Sequence, residues 1–157
     1  VDRFPSEFST LLSPKGRRVL AGAASAGALI TQQLFAATGL LRPEMVRAIP
    51  RLLDRSFSKW MVEVSKPAPP AKQSSTATAG EMLPKSVRML TTHYDSPDTI
   101  FAAKQCGLLE MLRSPSYKAF VSALAGRPLE GPIGMQVLCY RPGDYAGPHT
   151  DYHPEDP

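Results

Sequence analysis

The stretch that decides the reading is MQVLCYRPGDYAGPHTDY, Met135 to Tyr152. Its first part, Met135 to Tyr140, is a short run of Met, Val, Leu, Cys and Tyr, the composition of a strand. Arg141, Pro142, Gly143 and Asp144 then supply turn chemistry, since proline presets one central turn position and glycine tolerates the next. A second strand is expected over Tyr145–Tyr152. Within it, one residue separates His149 from Asp151, and an extended chain places such alternate side chains on one face. An imidazole and a carboxylate so placed can reach one metal ion, and the pair suits a divalent first-row ion. A second histidine would complete a facial triad with positions left open for a chelating co-substrate and dioxygen. Pro148 favours an extended approach to the pair.

A His-x-Asp triplet alone has little diagnostic weight, and its surroundings supply the rest. Gln136, Tyr140, Pro142, Gly143, Tyr145, Pro148, His149, Asp151 and Tyr152 together resemble the prolyl 4-hydroxylase-like branch of the Fe(II)- and 2-oxoglutarate-dependent dioxygenases. In that branch, a strand ending in Tyr and a Pro-Gly turn precede the metal-binding triplet. The preceding SPSYKAFVSALAGRPL, Ser114 to Leu129, looks like the helix and glycine turn that lead into the barrel of such enzymes. The resemblance is close over the last quarter of the chain and loose elsewhere.

The resemblance implies a fold and a chemistry. The fold class is α+β, with N-terminal helices packed on the beginning of a double-stranded β-helix, a jelly-roll variety. His149 and Asp151 would be the metal ligands, and the Tyr140 hydroxyl would donate to a carboxylate of 2-oxoglutarate. Tyr145 is assigned to packing. The cofactor would be Fe(II), with 2-oxoglutarate and dioxygen as co-substrates and ascorbate as an accessory reductant. The reaction would couple oxidative decarboxylation of 2-oxoglutarate to hydroxylation of a substrate, a protein or prolyl side chain being the class the branch implies. No residue here reads as a substrate contact.

The family pattern also calls for a distal His and, about ten residues after it, an Arg or Lys for the far carboxylate. The chain begins at Val1 and ends at Pro157 before either, and the roll needs about eight strands, more than can be read here. The expectation is therefore a truncated domain that binds iron weakly, does not turn over and exposes strand edges. Two other histidines are weaker candidates. His93 reads as a surface or loop residue, and His153 would extend the triplet to His-x-Asp-x-His. Three alternate positions on a strand lie along a line, however, and Pro154 follows directly. The alternatives are a non-catalytic binding module with a degenerate jelly-roll, or a helical scaffold whose C-terminal segment is only a hairpin.

The rest of the chain sets the context. Its 157 residues suffice for a core without staples, and 43% hydrophobic with 20% charged residues is a globular composition. The net charge of +4 comes from scattered residues, and Lys15, Arg17 and Arg18 read as a solvated helix start, so no nucleic-acid partner is expected. Two cysteines, Cys106 and Cys139, make no disulfide framework; both read as small buried apolar residues in a reducing, cytoplasmic setting. Val19 to Leu41 is rich in Ala, Gly and Leu, but Ser25, Thr31, Gln32, Gln33 and Thr38 interrupt it. A buried helix is expected there rather than a membrane span, with a targeting role left open.

Along the chain, residues 1–65 read as a helical part, 66–80 as a flexible Pro/Ala/Ser/Thr-rich loop, and 81–157 as helices and first strands of the roll. Phe4, Phe8, Leu11 and Leu12 form a short amphipathic turn, closed by Pro14. A helix opens at Pro43 and turns Met45, Val46, Ile49, Leu52, Leu53 and Phe57 to one side, with Pro50 kinking or splitting it. Trp60 to Val64 reads as a short strand. Ser96 and Pro97 open a helix that runs to about Leu112; Ser114 and Pro115 open another, which Gly126 closes in a left-handed conformation.

Overall fold

A computed structural model describes residues 2–21, 38–67 and 87–147. Most of the Ala-rich segment, nearly all of the 66–80 loop, and the strand beyond Gly147 lie outside the described residues. Among the described residues the chain is α+β. It has five α-helices, α1 (Pro14–Leu20), α2 (Pro43–Phe57), α3 (Pro97–Gln105), α4 (Leu108–Arg113) and α5 (Pro115–Ala125). Four strands, β1 (Val62–Lys66), β2 (Val87–Thr91), β3 (Leu138–Cys139) and β4 (Tyr145–Ala146), make one antiparallel sheet. They fall into two compact units, Val1–Lys59 with Tyr94–Met135, and Trp60–His93 with Gln136–Pro157.

The first unit holds the five helices, and serine caps followed by proline start three of them. Ser13, Ser96 and Ser114 each accept a hydrogen bond from the amide three residues on, while the proline that follows gives up no bond a helix start could use. Ser114 is the busiest, since its hydroxyl also accepts from the Phe8 amide and donates to the Met111 carbonyl. Gly126, at φ +67°, ends α5 in the left-handed conformation its sequence position predicts. The expected helix over 97–112 is in fact two. Gly107 sits at φ +80° between α3 and α4, and the Phe4 amide donates to the Cys106 carbonyl there (2.7 Å). A side chain at Gly107 would come within 2.8 Å of the Phe4 carbonyl oxygen, so the break admits the N-terminal segment.

α2 runs unbroken through Pro50 and buries Met45, Leu52 and Phe57, whereas Val46, expected on that side, is 55% exposed. By helical angle Val46 falls between Leu53 and the buried Phe57, inside the apolar stripe, so periodicity does not account for its exposure; it stands about two turns or more along the axis from either. Leu12, Val19 and Phe120 form a core cluster, joined by Phe8, Leu20, Leu40, Leu41 and Leu124. The Phe8 ring meets Tyr117 edge-on at 5.3 Å and Phe120 at 5.1 Å, distances at which aromatic pairs attract beyond simple burial. Lys15, Arg17 and Arg18 are exposed on α1, as expected of a solvated start. No helix among the described residues is long and apolar enough to cross a membrane.

The second unit holds the sheet, and its central strand, β2, is absent from the sequence-based reading. Where that reading has a strand at Trp60–Val64, a 3-10 turn covers Ser58–Trp60 and β1 follows at Val62–Lys66. β1 pairs with one edge of β2 and both β3 and β4 pair with the other. In β2, Val87, Met89 and Thr91 are buried, Arg88 is exposed and Leu90 is half-buried, which is the alternation of a strand with one covered face. Two further bonds extend the pairing, from the Thr92 amide to the Val137 carbonyl (3.0 Å) and from the Val137 amide to the Thr92 hydroxyl (3.1 Å). The side chain of the exposed Gln136 donates to the Thr91 hydroxyl (2.9 Å), so the buried Thr91 and Thr92 hydroxyls are both satisfied.

One substitution tests the helical packing. A Cβ at Gly16 would collide with the Leu40 carbonyl oxygen and press on Leu12, and a backbone carbonyl cannot move aside as a side chain can. Gly16→Ala is expected to lower stability by about 1–3 kcal/mol despite the better helix propensity of alanine, as read from the chemical-denaturation midpoint. An unchanged or raised midpoint would show that α1 and Leu40 are not in this close contact.

Candidate functional site

The candidate site gathers where β3, the following turn and β4 lie against β2. β2 advances two residues, from Leu90 to Arg88, while its partner chain advances six, from Cys139 to Tyr145. The chain therefore does not reverse at the Pro-Gly turn. It leaves the sheet for four extra residues and rejoins the same edge in the same direction, an enlarged bulge rather than a hairpin. Because directly paired residues share a face, Cys139, Tyr145, Glu63 and Ser65 lie on the face of Arg88 and Leu90. Cys139 is accordingly exposed, correcting the expectation that both cysteines are buried; Cys106, at the end of α3, is buried as expected.

The turn is closed from both sides. The Asp144 amide donates to the Arg141 carbonyl (2.9 Å), and the Asp144 carboxylate accepts from the Arg141 amide (2.8 Å) and from its guanidinium Nε (3.1 Å). Pro142 and Gly143 take the central positions, with Gly143 at φ +86°, the arrangement of a type II turn. Neighbouring strands contribute two more groups. Arg88 of β2 stands 3.5 Å from Asp144 Oδ1 and 3.9 Å from Glu63 Oε1, and Arg141 Nη2 stands 3.4 Å from the same glutamate oxygen. Two cations and two anions thus alternate across β1, β2 and the turn, with the Asp144 side chain almost wholly enclosed at 1% exposure.

These contacts shift two ionisations. The Arg141 amide, and then its guanidinium, hold the Asp144 carboxyl below the ordinary aspartate range, against a smaller opposing effect of desolvation. The hydrogen bond to Asp144 raises Arg141 in turn. Composition alone did not single out Glu63, Arg88, Arg141 or Asp144. The only signal was a base and an acid flanking Pro-Gly, three residues apart.

Of the residues expected to carry chemistry, Tyr140 alone is described. It follows β3 directly, at the entrance to the turn, and is 48% exposed. His149, Asp151 and His153 lie outside the described residues. His93 is exposed in the segment after β2, consistent with a surface or loop position. Among the described residues no group of three or more His, Cys, Asp or Glu side chains gathers in a way that could hold a metal ion. The donor types at His149 and Asp151, imidazole nitrogen and carboxylate oxygen, nevertheless suit a divalent first-row ion. No family model, no curated protein and no solved structure matches the chain.

The closed turn predicts a pH dependence. A carboxyl whose folded pKa is depressed contributes stability that is complete above its unfolded value and fades as pH falls through the lower folded one. The Arg141–Asp144 turn is therefore expected to persist at neutral pH and to open only below the ordinary aspartate value of about 3.9. The amide resonance of Arg141, followed by NMR from pH 7 to pH 2, should move only in that acid range, and Asp144→Asn should abolish the titration. Opening between pH 5 and 7 would contradict the assignment.

Proposed function

We propose that this chain carries iron-binding residues of a 2-oxoglutarate-dependent dioxygenase of the prolyl 4-hydroxylase-like kind, with His149 and Asp151 as metal ligands. The observation that carries the reading is the placement of the residues leading into the triplet. β4 is hydrogen-bonded into an antiparallel sheet, and Tyr145 lies on the face of β2 that is not covered. His149 and Asp151 stand four and six residues beyond Tyr145, and even offsets along a strand share a face. An imidazole and a carboxylate that share a face can reach one metal ion, which is the chemistry proposed for the pair.

The four antiparallel strands are compatible with the start of a jelly-roll, whose two sheets enclose the site in the complete architecture. In this reading Tyr140, half exposed at the turn entrance, is available to donate to a co-substrate carboxylate. When bound, iron would supply the activation of dioxygen coupled to decarboxylation of 2-oxoglutarate, and the protein side chains would supply binding and orientation. A protein or prolyl side chain is the proposed substrate class, resting on the sequence resemblance alone.

Cobalt(II), with visible absorption as the readout, tests the ligand assignment. The chain is expected to bind one equivalent weakly, and His149→Ala and Asp151→Ala should each weaken binding at least tenfold, since each removes one of two protein donors. Tyr140→Phe should leave cobalt affinity unchanged and reduce any enhancement by added 2-oxoglutarate. Cobalt binding equal in the wild type and His149→Ala would remove the basis for the assignment.

A further inference from the structure

The two edges of the sheet differ in kind. On one, β3 and β4 are interrupted by the excursion that carries Arg141 and Asp144, and a bulged edge offers no continuous row of backbone groups to another chain. The other edge is β1, which pairs with β2 along Val62–Lys66 and ends the sheet among the described residues. β1 contains no proline, glycine or bulge, and Val62 and Val64 are β-branched. Val62, Glu63, Ser65 and Lys66 are exposed and Val64 is half-buried, so both faces of the strand are open to a neighbour. A charged side chain ordinarily defends such an edge, but Glu63 is drawn back to Arg88 (3.9 Å) and Arg141 (3.4 Å) of its own sheet.

We propose that β1 is a self-association surface, pairing antiparallel with β1 of a second copy about a two-fold axis at Val64. An edge strand presents amides and carbonyls that another strand can complete, and VEVSK suits a copy of itself in one register. That register sets Val64 against Val64 of the second copy, Glu63 against Ser65 and Val62 against Lys66. No like charges face each other, and the lysine stem covers the valine. A shift of two residues one way sets Glu63 against Glu63. The other way it draws Pro67, which has no amide hydrogen to give, into the ladder. A shift of one sets Val64 against Ser65 or Glu63 and brings the open face of one copy beside the covered face of the other. In the favoured register the two Glu63 carboxylates are diagonal neighbours, each already matched by the arginines of its own sheet. The contact uses the same strand on both copies, so it closes at a dimer. It is independent of the metal reading.

The experiment uses the full chain in analytical ultracentrifugation at concentrations up to about 1 mM, a range that reveals the weak association expected of a small interface. The wild type is expected to pass from monomer to dimer and no further. Val62→Lys, at a position 38% exposed, sets like charges opposite Lys66 at both ends of the contact and should weaken dimerisation about tenfold. Adding Lys66→Glu makes both pairs opposite in charge and should restore association, which a merely damaged strand would not do. Should Val62→Lys fail to fold, crosslinking decides, in a Cys139→Ser background that removes the exposed thiol. Val64→Cys brings two Cα atoms within about 5.5 Å across the axis and should yield a disulfide-linked dimer. Ser65→Cys leaves them diagonal, about 7–8 Å apart, and should not. A monomer at every concentration, a dimer that Val62→Lys leaves intact, or equal crosslinking at positions 64 and 65 would overturn the proposal.

Discussion

The pairing of β2 on both of its edges is the constraint on which the sheet depends. Five residues, Val87–Thr91, carry β1 on one side and two separated short strands on the other. β3 and β4 are each only two residues long, too short to hold a register without a common template. β2 supplies it, and its alternation of buried and exposed residues assigns a face to every residue it pairs with. The exposed cysteine, the aromatic at the start of β4 and the charged cluster all take their places from that register.

The helices were largely legible in the sequence because their ends are written in local chemistry. Ser96 with Pro97, Ser114 with Pro115, Pro43, and Gly126 act within one turn of themselves, and tertiary packing left them where the sequence put them. The break at Gly107 was not legible for the opposite reason. A glycine inside an apolar periodic run is tolerated by a helix, and what ends α3 is the distant Phe4 segment, which docks against the Cys106 carbonyl. Val46 shows the limit of periodicity in the same way, since a surplus of apolar residues does not say which of them the neighbours will cover.

β2 escaped the reading because VRMLT is short and only Arg88 marks its polar side. Apolar runs of this length do not distinguish strand from helix. Missing β2 also hid the exposure of Cys139, which is decided by its pairing with Leu90 rather than by its own neighbours in sequence. Of the candidate site, the triplet was legible as a motif, and Tyr140 as the residue before the turn. The Glu63, Arg88, Arg141 and Asp144 cluster was not, because its members come from three separate stretches that only the sheet brings together.

The turn itself could have been read further than it was. A strand, a Pro-Gly turn and a second strand look like a hairpin, yet tight hairpins favour type I′ and II′ turns, whose first central residue has positive φ. Proline, locked near −65°, cannot take that place. With Pro142 first and Gly143 second, the sequence permits a type II turn, whose twist splays a two-residue hairpin apart. The chain instead continues along β2, and the turn becomes a four-residue excursion that preserves the alternation of the strand. Pro-Gly at this point therefore carries more than punctuation: the proline disfavours a tight reversal, and the even length of the excursion returns Tyr145 to the face of Cys139.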